Sequence, residues 1–252
     1  MAEQGQATYD YESIDPGYYD HVFRRGAGVQ SKWHHAKFKV VRDHMPADYQ
    51  RHLDVGCGPG TFIGTLPDDR NSTGTDVADP QIQYALREYK TESHDFQCIP
   101  PGDLPFEDNT FDVVTIVEII EHLEVPVIEA LLQEVLRVLV PGGRVILTTP
   151  NYGSLWPFLE KVVNARADVT YEDQHITFFK RARLRAFLER AGFADSAART
   201  FQGAAPFAAA LSWKLADLVQ IVENPLLSPA MGFLLLGSGT KPGSAHGTEH
   251  AG

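Results

Sequence analysis

The sequence predicts an α/β fold with a mostly parallel sheet and helices on both faces. Three observations carry this. Residues 51–150 alternate apolar, β-branched runs with stretches of helical period, the pattern of strands joined by crossover helices. The run Leu53-Asp54-Val55 ends in Gly56-Cys57-Gly58-Pro59-Gly60-Thr61, a glycine loop between a strand and a helix start. Pro141-Gly142-Gly143 stops a helix and hands the chain to Arg144–Asn151, which reads as another strand.

Composition sets the frame. The 252 residues suffice for one α/β domain with additions, and 43% of them are apolar, enough for a substantial core. The net charge of −11 argues against a broad phosphate-binding surface, so nucleic acid is excluded as a partner. Two cysteines, Cys57 and Cys98, make no disulfide or metal framework; Cys57 reads as a small loop residue and Cys98 as core. Met1–Gln4 lacks a basic region followed by an apolar core, and the apolar run Met231–Leu236 is too short to span a bilayer. A cytoplasmic protein with no membrane partner is expected.

The elements follow in order. Residues 1–16 are polar. Tyr18–Phe23 begins a cap, and Trp33–Val41 reads as a helix leading to the first strand. After the glycine loop comes Ser72–Asp76, a strand ending in an acid, then the helix-like Pro80–Leu86. Gly102–Asp112 forms a loop with Asp103 and Leu104, and Val113–Val117 reads as a buried strand. Residues 127–140 place Ile128, Leu131, Leu132, Val135, Leu136 and Leu139 at helical spacing. A helix is predicted over 183–191 and a last strand pair near 196–202 and 230–238. The stretch 204–222 looks amphipathic, suited to covering a substrate pocket or forming a homodimer contact. The expected division is a cap over 1–45, a main domain over 46–238 with insertions near 152–179 and 204–228, and a Gly- and Ser-rich disordered tail over 239–252.

The glycine loop selects among cofactors. A dinucleotide fingerprint needs G-x-G-x-x-G, but the third position here is Thr61, with Gly60 one place early. The pattern D-x-G-x-G-x-G beginning at Asp54 resembles motif I of the class I S-adenosylmethionine (SAM) methyltransferases. Asp76 at the next strand end, the Asp103 segment and the Pro141-Gly142-Gly143 turn match that family in order, over residues 35–200. The resemblance implies a seven-stranded Rossmann-like sheet. It implies SAM held by Asp54, Gly56, Cys57, Gly58, Gly60, Asp76, Asp103, Leu104 and Glu118, with Asp76 on the ribose and Asp103 on the adenine amino group.

Glu118, Glu121 and His122 stand at i, i+3 and i+4, so a helical turn would put them on one face. Two carboxylates and an imidazole suit Mg²⁺ or Mn²⁺ better than a closed zinc site. This Glu-x-x-Glu-His segment resembles the metal motif of ubiquinone-pathway and small-RNA O-methyltransferases; the latter add a later histidine. His175 is the candidate for that place, as fourth ligand or catalytic base, with His122 also a catalytic candidate. Asn151, Tyr152 and Trp156 are placed to line the acceptor pocket. The expected activity is Mg-assisted methylation of a hydroxyl on a polyhydroxylated small molecule: a sugar, polyol, catechol or secondary metabolite. The alternatives are a metal-free N- or O-methyltransferase and a non-catalytic SAM-binding protein.

Overall fold

The computed structural model describes residues 14–102, 104–157, 175–226 and 232–243. Seven strands form one sheet: β1 Arg51–Val55, β2 Asn71–Asp76, β3 His94–Cys98, β4 Phe111–Val117, β5 Leu139–Pro150, β6 Ala194–Phe201 and β7 Leu234–Thr240. Their order is β3-β2-β1-β4-β5-β7-β6. The first five run parallel, and β7 lies antiparallel between β5 and β6. The expected seven-stranded, mostly parallel architecture is what the chain adopts.

Helices cover both faces because the strands alternate two apolar sets. Leu53, Val55, Val114, Ile116, Val145 and Leu147 pack with α4 (Val125–Val138) and α5 (Arg181–Arg190). Val113, Ile146 and Leu236 face the other way and pack with α2 (Gly28–Arg42) and α3 (Asp79–Tyr89). Period-2 side-chain alternation assigns each residue its layer. A short cap helix, α1 (Tyr18–Arg24), precedes α2. Two helices follow β6: α6 (Ala205–Ala208) and α7 (Trp213–Leu226).

The cap is fastened to α3 by buried polar contacts. Tyr84 Oη donates to the buried Asp20 carboxylate at 2.8 Å, Tyr89 Oη donates to its other oxygen, and Arg24 pairs with it at 2.7 Å. Gly17 N–H donates to Gln81 Oε1 at 3.1 Å, and Gln81 Nε2 donates to the Ile14 carbonyl at 3.0 Å. Gly17 has φ 79°, and a Cβ there would sit 2.1 Å from Tyr84, so only glycine fits.

Several sequence expectations shift. β5 begins at Leu139, so Leu139 pairs with Phe111 instead of ending a helix; Pro141-Gly142-Gly143 lies inside the strand at a register irregularity. Cys98 is exposed, because it closes the edge strand β3 where the sheet has no further neighbour. Gly239 and Thr240 belong to β7, paired with Val145 and Arg144, so the tail starts later than 239. The amphipathic 204–222 stretch divides into α6 and α7. Asp103, Tyr171–Gln174 and most of the 152–179 insertion lie outside the described residues. No described helix is long and apolar enough to cross a membrane.

Candidate active site

A cavity of about 300 Å³ opens at the carboxyl ends of β1, β2 and β4, where doubly wound sheets place their ligands. Its first half is built from backbone. Gly56 and Gly58 take φ of 74° and 51°, and a Cβ on Gly56 would lie 2.3 Å from Ile119. Gly58 N–H donates to one Asp76 oxygen at 2.8 Å, and Ala78 N–H donates to the other at 2.9 Å. These donors hold the carboxylate with lone pairs left for hydroxyl donors. Burial raises the Asp76 pKa, partly offset by the backbone N–H groups of Ala78, Gly58 and Val77. Asp54, Cys57 and Glu118 also line the cavity.

Two expected cofactor residues do not. Gly60 turns toward Phe96 and Ala85, which a Cβ there would meet at under 3 Å. Leu104 packs in the core, and its N–H donates to Glu134 Oε2 at 3.0 Å.

Beneath the loop runs a buried polar chain. Asp54 faces Thr115 across the β1–β4 register, and Thr115 Oγ1 donates to Asp54 Oδ1 at 2.6 Å. His52, two residues back on the same face, has Nε2 2.7 Å from Thr115 Oγ1 and Nδ1 3.2 Å from Ser72 Oγ. With the Thr115 proton committed to Asp54, His52 Nε2 carries the proton donated to Thr115 and Ser72 donates to Nδ1. Burial pushes Asp54 up to about 7 and His52 down to about 3.

The end of β4 departs from the expected helical turn. Glu118 takes the left-handed conformation, φ 56°, and Ile120–His122 forms a single 3-10 turn. Glu118 is thereby turned to an ion pair with Lys37 of α2, whose side chain is buried. The ligand atoms that converge are those of Glu121, His122 and His175, all within 4.8 Å of one another. His175 is delivered by a backbone clamp: Ile176 and Thr177 N–H donate to the Glu121 carbonyl at 2.9 and 3.0 Å, and Thr177 Oγ1 donates to the Leu123 carbonyl at 2.6 Å. Tyr152 Oη lies 2.7 Å from His175 Nδ1. Glu121 is buried, and its Oε2 has no hydrogen-bond partner among the described residues. Burial first, then the Glu118 charge, pushes its carboxyl well above the usual range.

The second half of the cavity is apolar and aromatic. Trp33, Trp156, Phe207 and Leu234 line it, with His34 beside them. Trp33 packs on Trp156 with centroids 5.2 Å apart and edge-on to Phe207 at 6.2 Å. Burial, then the nearby Lys37 charge, holds His34 well below the ordinary histidine range. Sequence reasoning missed Lys37, His34, His52 and Thr115. Trp33, His34 and Lys37 at i, i+1 and i+4 on α2 offered a trace of that shared face.

A strand, glycine loop and acid-tipped second strand beneath a covered cavity define an α/β enzyme built for a nucleoside-bearing cofactor. A methyltransferase-domain family model matches residues 53–147. The demethylmenaquinone methyltransferase of Staphylococcus aureus is 30% identical over 186 residues, covering 66% of this chain and 76% of that relative. The ubiquinone biosynthesis O-methyltransferase of Idiomarina loihiensis is 35% identical over 104 residues, 39% of this chain and 42% of that relative. Other relatives are spanned unevenly, one to 33% of its length and another to 79%. A SAM-dependent methyltransferase from Thermotoga maritima superposes with a TM-score of 0.59 at 17% identity, over 89% of this chain and 100% of that one. The chain belongs to the class I SAM-dependent methyltransferases, and SAM is the cofactor of this fold.

Proposed function

We propose that this chain transfers the methyl group of SAM to a hydroxyl of a small hydroxylated molecule, with a divalent cation held at Glu121, His122 and His175. One observation carries the reading: three ligand atoms converge within 4.8 Å in a cavity that also reaches Gly56, Gly58 and Asp76. Bound SAM supplies an electrophilic methyl on a sulfonium. A bound cation would lower the pKa of a hydroxyl that touches it.

The chain's own residues do the rest. The loop and Asp76 hold the nucleoside, while α1 and α2 cover the cavity and exclude water. Tyr152 orients the His175 imidazole, and the buried Glu121 oxygen without a partner is a natural ligand position. With Glu118 engaged by Lys37, the donors are one carboxylate and two imidazoles. That set suits Mn²⁺ better than oxygen-seeking Mg²⁺. Among sugars, polyols, catechols and secondary metabolites, the aromatic wall favours the catechol end. The quinone-pathway names of the two relatives support the same direction.

A second reading has its own observation. Burial raises the Glu121 carboxyl, which suits a neutral acid in a metal-free methyltransferase. Mn²⁺ titration of protein loaded with S-adenosylhomocysteine (SAH), followed by electron paramagnetic resonance, separates the two. One site is expected, lost in His122→Ala while SAH affinity holds. Turnover of a catechol probe should fall in chelator and return with Mn²⁺. Full turnover in chelator without any bound Mn²⁺ would leave the metal-free reading standing.

A further inference from the structure

We infer that the outward face of α7 pairs with the same face of a second copy of this chain, the two helices crossing antiparallel about a two-fold axis near Leu218. The inference goes beyond the proposed chemistry and does not rest on it.

The protomer uses α7 from its polar side. Glu223 is buried and accepts the backbone N–H groups of Gly203, Ala204 and Ala205 at 3.0, 2.8 and 3.1 Å, gripping the start of α6. On the flank, Asp217 pairs with the buried Lys32 of α2, whose ammonium lies 5.0 Å from the centre of the Trp213 ring. The outward side is apolar. Leu215, Leu218, Ile221 and Val222 recur at helical spacing, with Leu211 in the turn before them, and all five are 38–83% exposed. A surface helix ordinarily turns such a stripe to the core and its charges to water. Here the order is inverted, so the stripe is suited to something outside the protomer.

Spacing, area and charge choose the occupant. Leu215, Leu218 and Val222 stand at i, i+3 and i+7, the seam spacing by which one helix receives another, knob into hole. The exposed fractions correspond to roughly 500 Å² of apolar surface on one copy, as much as the largest patch on a typical monomer, and to about 1,000 Å² when two copies meet, the lower bound of a specific interface. Among the described residues, one charge lies within the stripe, the exposed Lys214. It sits in the first turn of α7, where a cation opposes the helix dipole. An antiparallel copy brings that ammonium to the carboxyl end of the facing helix, where the dipole is negative, and two-fold symmetry makes the contact twice. A bilayer surface fits less well: interfacial helices carry several basic residues, this face carries one, and the chain has a net charge of −11. The surface also bears on the cavity, because the Glu223 grip ties α7 to α6 and its cavity-lining Phe207.

Sedimentation equilibrium of the full chain between about 5 and 500 µM should show monomer passing to dimer. Leu218→Glu places two like charges at the axis and should weaken the dimer roughly tenfold or more. Val127→Glu charges a comparably exposed valine on α4, across the sheet from α2, and should leave the dimer unchanged. Disulfide cross-linking reads the geometry separately. With the exposed Cys98 replaced by Ser, Leu218→Cys should give a linked dimer under copper–phenanthroline oxidation and Leu211→Cys should not. SAH binding checks that each variant is folded. A monomer at every concentration, a dimer that Leu218→Glu leaves intact, or equal cross-linking at both positions overturns the inference. A monomer that sediments with phosphatidylcholine vesicles overturns it too and gives the face to a bilayer.

Discussion

The two halves of the cavity are made in different ways. The cofactor half is backbone: Gly56, Gly58 and the N–H groups that grip Asp76 come from two adjacent parallel strands and the turns that leave them. The acceptor half is side chain: Trp33 from α2, Trp156 from the turn after β5, His175 from before α5 and Phe207 from α6. At Gly56 that backbone tolerates no added atom, because a Cβ there would lie 2.3 Å from Ile119. A side-chain site can change ring by ring while the sheet stays as it is. On the proposed function, the first half suits a fixed cofactor and the second a variable acceptor.

Substitutions can break this contrast, and the largest effect lies beneath the cofactor loop. Asp54 titrates near 7 in the folded protein against an ordinary value of 3.8. A raised acid favours the folded state below about pH 4 and loses that contribution as pH rises through about 7. Asp54→Asn should remove a pH-dependent difference on the order of 4 kcal/mol, read from denaturant melts between pH 4 and 8. His52 runs the other way. Its depressed value of about 3 makes its contribution full above 6.5 and lost as pH falls toward 3, so His52→Gln should flatten the acid side of the curve. Identical pH slopes in wild type and both variants would show that the buried chain does not couple protonation to folding.

Next comes Gly56→Ala, which combines a positive φ with a Cβ placed on Ile119. A loss of about 1–3 kcal/mol in stability is expected, together with SAH affinity. Asp76→Ala should leave stability near wild type and weaken SAH by about 1–3 kcal/mol, measured by calorimetry. The smallest effect sharpens the contrast from the other side. Trp33→Ala should change SAH affinity by less than about twofold while weakening a catechol probe roughly tenfold. Equal losses of both ligands would mean that the halves are not separable.

This division also explains what the sequence revealed. Loop, strand ends and acids of the first half sit within short spans, so local spacing points to Gly56, Gly58 and Asp76, which line the cavity. The acceptor half depends on residues 33, 122, 156, 175 and 207 meeting in space, which no local spacing encodes. Glu118 illustrates the limit. Its i, i+3, i+4 spacing with Glu121 and His122 presumed a helical turn, but a left-handed residue after β4 swung it to Lys37. His175 was found from a motif, whereas the backbone clamp that delivers it, Ile176 and Thr177 on the Glu121 carbonyl, has no signature in side-chain identity. Leu104 was expected at the cofactor, yet its N–H is taken by Glu134, thirty residues along.

The seventh strand in chain order is not at the edge of the sheet. β7 separates β5 from β6, and its approach through Gly232 and Phe233 is what Asn151 is pinned to. On a ribosome the chain is made from the amino end, so β1 to β5 and the cofactor loop emerge complete while β6 still lacks its only neighbour. The pocket wall that carries Trp156 is tied first to Phe179 and gains its second anchor only when Gly232 and Phe233 have left the exit tunnel. A nascent chain can therefore complete the glycine-loop half of its cavity well before the aromatic half is closed.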